Sequence, residues 1–422
     1  MLRSMFSAIS GLRAHQVMMD VIGNNIANVN TVGFKAGRVN FEDILSQTIR
    51  GATAPSSSLG SIDPAQVGLG VGIGGIDVLH TQGNLQSTGK LTDMAIQGDG
   101  FFILGNAANQ SYTRDGSFDL SLDGALVSPA TGMKVQGWQA DATGAIDTTT
   151  PIGSLIIPIG QRTTALATSA ATVIGNLDAS APVGATATTT MTAIDSLGVS
   201  HSLKVVFTKT AANAWGWAAS TDPADAGAAI TAGSGTGTVT FTASGQVDPA
   251  TLPTGTLSVD LTNGAVSPLV LDAAAGPPPT LDFLKMTQFA GASEPAAQAN
   301  GFASGSLVTF SVGNGGQITG VYSNGQTQIL GQIATASFVN PAGLLRAGQN
   351  MFTTSPASGA PAVGLPGSGS RGGIATGSLE MSNVDLASQF TGMITAERGF
   401  QANGRVITTS DEMLQDLVNL KR

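Results

Sequence analysis

The chain has 422 residues, room for about two to four domains, and carries a net charge of −9 with only 11% charged and 5% aromatic residues. Its 18 Lys and Arg are scattered, so no basic stripe exists to follow a phosphate backbone, and nucleic acid is excluded as a partner. The absence of cysteine excludes disulfides and thiolate metal centres, while 56 glycines among many Ala, Thr and Ser point to β-structure with tight turns.

The first segment, "MLRSMFSAISGLRAHQVMMD", spaces its apolar residues instead of massing them. That pattern is neither a cleaved signal peptide nor a spanning helix, so no membrane insertion is expected, and export would need another route. Met5, Leu12, Met19 and Ile26 recur every seven residues, with Leu2 and Ile9 between them. This predicts a helix with a heptad seam for assembly.

The helix ends in "NNIANVNTVGFK", with four asparagines between Asn24 and Asn30. Asn24, Asn25, Asn28 and Asn30 can bond nearby backbone and accept the left-handed conformation that ends helices, and Gly33 then allows a sharp change of direction before Lys35. The expectation is a self-capped turn that needs little support from a domain core. Residues 36–75 follow as a Gly-, Ser- and Pro-rich linker; "GLGVGIGG" at 68–75 lacks the Lys-Ser/Thr pair and following helix of a phosphate loop.

From 76 to 145 short apolar runs alternate with turn signals, Asp115-Gly116 and Asp123-Gly124 reading as hairpin turns. The spacing of Asp115, Asp119 and Asp123 is not that of a calcium loop. Residues 146–284 read as a separate outer β domain, in which Leu203, Val205 and Phe207 share a face, closed by the stiff Pro277-Pro278-Pro279. Residues 285–354 return to the middle β domain through turns at Asn314-Gly315 and Asn324-Gly325. A second linker, 355–384, leads to a closing helix with Leu386, Met393, Phe400, Ile407 and Leu414 at intervals of seven and Phe390 and Val418 on the adjoining row. Residues 1–35 and 385–422 are thus expected to form an inner α-helical coiled coil, within a mainly β multidomain chain whose β domains are nested outside it. A seven-residue repeat supercoils around neighbours, and chain ends normally fray, so both helices are expected to pair with each other and with other copies.

No catalytic constellation stands out. His15, His80 and His201 stand in different segments without neighbouring ligands at useful spacing, and no carboxylate pair suggests acid–base work. No enzyme activity, cofactor or metal is expected.

"SAISGLRAHQVMMDVIGNNIANVNTVGFK" resembles the opening signature of the axial protein family of the bacterial flagellum, which includes rod, hook and hook-associated subunits. "GFQANGRVITTSDEMLQDLVNLKR" resembles the family's closing helix in its hook form. "AIDSLGVSHSLKVVFTK" and "YSNGQTQILGQIATASFVNPAGLLRAGQNMF" are similar to internal hook segments and favour a hook over a rod subunit. The resemblance implies a homopolymer: a curved, hollow tube that passes torque from rod to filament as a universal joint and also serves as an export channel. It implies contacts with rod, hook cap and hook–filament junction proteins, an extracellular place in the basal body–hook complex, and passage through the type III export apparatus without cleavage. Phe41 and Leu45, in "FEDIL", resemble the element read by the export gate. Some hook proteins are crosslinked through a cysteine; this chain has none, so its tube would be held non-covalently. The alternatives are a distal rod component and, in a different class, a secreted β-rich adhesin.

Overall fold

The computed structural model describes residues 2–52, 61, 63–106, 109–141, 144–160, 162–225, 227–248, 251, 253–273 and 280–419. Pro277-Pro278-Pro279 and the stretch 53–60 of the first expected linker lie outside them, as do the side chains of Leu2 and Leu417.

Two helices bracket a chain of short strands. Helix α1 spans Leu2–Ala27 and helix α2 spans Leu386–Asn419. Contacts divide the chain into two units, one of residues 1–158, 310–320 and 328–422, the other of 159–309 and 321–327.

In the first unit, β1 (Gly37–Asp43), β2 (Ser46–Arg50), β3 (Ala65–Gly68) and β4 (Val71–Val78) follow α1. β1 pairs antiparallel with β4, and β2 with β3, so the ladder carries the chain outward and back. The segment expected as a linker is therefore largely strand, and the glycines of "GLGVGIGG" belong to β3, β4 and the turn between them. Glycine weakens a strand through chain entropy, but here it lets the backbone pass close to α1: a Cβ at Gly70 would stand 2.4 Å from Ser10 Oγ.

The middle of this unit holds a six-stranded sheet in the order Leu345–Gly348, Met351–Thr353, Gln110–Thr113, Phe101–Gly105, Thr335–Ser337 and Ala362–Gly364. Phe101, Tyr112, Trp138, Phe338 and Phe352 pack in its core, several edge to face. The second expected linker is also woven into sheets. Ala362–Gly364 pairs with Thr335–Ser337, Gly373–Thr376 with Met94–Gln97, and Ser378–Glu380 with Leu85–Ser87. Asp123-Gly124 makes its turn, with Gly124 at φ +73°. Asp115-Gly116 does not: its backbone crosses Met94 so closely that a Cβ on Gly116 would lie 1.5 Å from the Met94 carbonyl oxygen.

The second unit is all β. Thr186–Ile194, Ser200–Ala211, Ala214–Thr221 and Thr236–Thr240 form an antiparallel four-stranded sheet, and Ala228–Ile230, Thr256–Leu261 and Leu269–Asp272 a three-stranded one. Side chains alternate across each strand, so Leu203, Val205 and Phe207 are buried with Trp215, Trp217 and Phe283. On the opposite face of the first strand Thr186, Thr188, Thr190 and Thr192 are exposed.

Candidate assembly site

The two chain ends meet as an antiparallel helix pair. Asn25 Nδ2 donates to Gln389 Oε1 at 3.0 Å, Ile22 lies against Gly392, His15 against Gly399, and Asn403 against Gly11. Residue numbers rise along one helix as they fall along the other, in constant register, with steps of three, four and seven that keep these residues on one face. The contact is close because glycine has no Cβ: one added at Gly399 would stand 2.5 Å from His15 Nε2, and one at Gly11 2.7 Å from Asn403 Nδ2. Ala8, Ala14 and Ala396 are buried in the same region.

The heptad period is the expected one, but the contact row is its neighbour. Met5, Ile9, Leu12, Met19 and Ile26 are only half-buried, as are Met393, Ile407 and Leu414. Leu386 (40% exposed), Phe390 (52%), Phe400 (40%) and Val418 (67%) stay in solvent. A heptad repeat fixes an angular period, not which of two adjacent rows makes the contact. Apart from Ile22, small and polar residues occupy the row that does, and hydrophobicity alone does not mark them.

The asparagine-rich turn is a tertiary clamp, not a self-sufficient cap. Asn25 is 1% exposed. Its Nδ2 donates to the Gly37 carbonyl at 2.8 Å and its Oδ1 accepts from the Gly37 N–H at 2.9 Å, taking the place of a strand neighbour for β1. Asn28 is the local cap: its Nδ2 donates to the Asn24 carbonyl and Oδ1, and its Oδ1 accepts from Thr31 Oγ1. Asn24 and Asn30 are exposed. Gly33 sits at φ +68°, where a Cβ would be strained and would lie 2.6 Å from the Asp115 nitrogen; its N–H donates to the Glu380 carbonyl at 2.7 Å.

Lys35 then enters a buried ionic node. Its Nζ donates to Glu380 Oε1 at 2.5 Å and to the Thr81 carbonyl at 2.7 Å. Arg114 Nη1 reaches Glu380 Oε2 at 3.2 Å, and the Gly83 N–H donates to Glu380 Oε1 at 2.8 Å. All three charged side chains are at most 2% exposed. Burial pulls the Lys35 amine below its ordinary range, against the opposing pull of Glu380. Around this node Asn383 Oδ1 accepts from the Ala36 N–H, Arg346 Nη2 donates to the Lys35 carbonyl, and Asn350 Nδ2 to that of Val32. Segments from the start, middle and end of the sequence are thus tied at one point.

Sequence reasoning found Lys35 but missed its partners Glu380 and Arg114. The signal was present: in a chain with few charges, Glu380 is the single charged residue in the run "GIATGSLEMSNV". Phe41 lies on β1, 41% exposed, with its ring 5.7 Å from that of His15; Leu45, just past β1, is 65% exposed.

Four family models match this chain in order. They are described as flagella basal body rod protein (residues 5–35), flagellar hook protein FlgE/F/G D1 domain (95–173), flagellar basal body protein FlaE D2 domain (161–302) and flagellar basal body rod FlgEFG protein C-terminal (375–420). The chain is 40% identical over 464 residues to a flagellar hook protein FlgE of Treponema pallidum, with both chains fully covered. The chain belongs to the flagellar hook protein family. A Borreliella burgdorferi member is 41% identical over 447 residues, again with full coverage of both. The crystal structure of Helicobacter pylori hook protein FlgE2 shares the fold at a TM-score of 0.52 and 13% identity, covering 71% of this chain and 99% of that one. In the hook family frame, the clamp at Asn25 to Lys35 spans the end of the rod-type N-terminal match, and Glu380 lies in the C-terminal match. The second unit coincides closely with the D2 match, some distance from the expected boundaries 146 and 284.

Proposed function

We propose that this chain is the structural subunit of a bacterial flagellar hook, polymerising into a curved, hollow tube that joins rod to filament. It turns as a universal joint and passes exported subunits through its bore. It performs no catalysis and works with the rod, the hook cap and the hook–filament junction proteins. It reaches its place outside the cell through the type III export apparatus, with Phe41 and Leu45 as the element offered to the export gate. The reading rests on 40% and 41% identity, over the full length of both chains, to relatives named hook protein.

The physical work divides between helices and sheets. The terminal helices supply apolar surface for a rigid inner wall: Phe390, Ile394, Phe400, Val406, Met413 and Val418 are all at least 40% exposed in one chain. The β domains carry hydroxyls, such as the exposed row Thr186 to Thr192, and few charges. Bending a rotating tube makes each line of subunits lengthen and shorten every turn. Exposed polar contacts are individually weak, so such faces re-pair at small cost.

Electron microscopy of the purified polymer tests this reading. Supercoiled tubes from the full chain, and none from a chain lacking residues 386–422, are expected; straight rods, or a binding activity that survives the deletion, would refute it.

A further inference from the structure

Beside the helix pair, α1 forms one wall of a groove to which α2 contributes nothing. Phe6, Ile9 and Arg13 on α1 face Ile44, Val71 and Ile73 across a space of about 540 Å³. Phe6 is 64% exposed, Ile44 52% and Ile73 38%. Contiguous apolar surface of this kind marks an interaction site more often than bare solvent contact. Arg13 is exposed at the rim, and among the described residues it makes no ion pair.

The other end of the chain carries the complement. On α2, Val406 and Met413 are two turns apart on one face and 41% and 49% exposed. Glu412 and Asp416, one turn apart and exposed, stand next to that face. Within one molecule the acidic pair cannot reach Arg13. Asn403 lies opposite Gly11, so the same register places Glu412 opposite the first residues of α1, about 16 Å along the axis from Arg13 at ~1.5 Å per residue.

We propose that this groove receives the last turns of α2 from a second copy of the chain, with Val406 and Met413 entering between Phe6 and Ile73 while Glu412 and Asp416 pair with Arg13. The proposal rests on the reading of the chain as a polymerising subunit and names the contact that would propagate it. Groove and helix are different patches, so a contact made in one direction leaves a free groove on one copy and a free helix end on the other, ready for the next subunit. Repeated without closing into a ring, it generates a helical array.

The absence of native cysteine gives a direct test. Phe6→Cys and Met413→Cys chains, each diluted into wild-type subunits and assembled together under mild oxidation, should give a disulfide-linked dimer at least tenfold above either variant alone. A charge exchange checks the rim: Arg13→Glu should abolish tubes, and adding Glu412→Arg and Asp416→Arg in the same chain should restore them. Wild-type tubes without the dimer, or Arg13→Glu tubes at wild-type yield, would overturn the groove assignment while leaving polymerisation standing, the groove then being free or held by a different protein. Failure of wild-type subunits to form any tube would strike the proposed function, and this contact with it.

Discussion

Lys35 Nζ and Glu380 Oε1 stand 2.5 Å apart, 345 positions apart in sequence and wholly shielded from solvent. A carboxylate held between Lys35 and Arg114 cannot be left with one partner at small cost, because a buried uncompensated charge is far worse than a buried pair. The node therefore makes the two chain ends and the β body depend on each other.

Glu380→Gln should destabilise the first unit by about 3 to 5 kcal/mol, since Lys35 and Arg114 lose their counter-charge. Lys35→Met combined with Glu380→Met should cost less than the two single changes added together, because each single change strands the opposite charge of the pair while the double change removes both. Chemical denaturation of the four proteins in a double-mutant cycle checks this; strict additivity would show the node to be energetically idle.

Two glycines on α2 should respond with opposite signs. Gly399→Ala drives a Cβ into the His15 ring and should destabilise by about 1 to 3 kcal/mol, as overpacking does. Gly404 has nothing within 4 Å of the same atom, so Gly404→Ala should stabilise the monomer by about 1 kcal/mol through helix propensity. Thermal unfolding of monomers, followed by helical circular dichroism, distinguishes the two.

The two units should differ in acid. Burial, followed by the charges of Lys35, Arg114 and Arg346, lowers the pKa of His80 from 6.5 to about 4. A group depressed in this way stabilises the fold above its unfolded value, and that contribution disappears as pH falls from about 6.5 through 4. The loss reaches about 3 kcal/mol for the first unit. His201 behaves oppositely: desolvation opposes its charge, but hydrogen bonds to Asp225 at 2.7 Å and Asp195 at 3.2 Å prevail and raise its pKa. Its contribution is complete below pH 6.5 and lost as pH rises through the raised value. Hydrogen exchange at pH 4.5 and 7.5 should show the first unit opening in acid while the second holds, and His80→Phe should flatten the first response.

Asn25→Ala should cost about 2 to 4 kcal/mol, because it removes the hydrogen bonds to both backbone groups of Gly37 and to Gln389 at a site without water access. Asn30→Ala, at an exposed position, should be near neutral. Urea unfolding midpoints measure the contrast.

How much was legible follows from what each signal encodes. The alternation of Leu203, Val205 and Phe207 gave strand and face together, because a period of two leaves only one way to bury them. The helices were legible from the sevenfold spacing, but the contact row was not. Gly392, Gly399 and Ala396 pack by letting backbones approach, and absence of side chain has no hydrophobic signature. The glycine-rich stretch 68–75 reads as a linker by composition, yet it pairs with β2 at Gly68 and with β1 from Val71 onward, far back in the sequence, and pairing at that distance leaves no local trace. Asn25 and Lys35 were singled out for their local chemistry, while their roles depend on Gly37, Gln389 and Glu380, which only the fold brings near.

In the proposed tube the chain ends complete their packing only among identical copies. Hydrogen exchange along α2, residues 386–419, in monomer and in assembled tube tests it most directly. Modest protection is expected in the monomer, where α2 packs on α1, with a rise of at least a hundredfold on assembly, largest around Phe390, Ile394 and Met413. Equal, slow exchange in both states would contradict it.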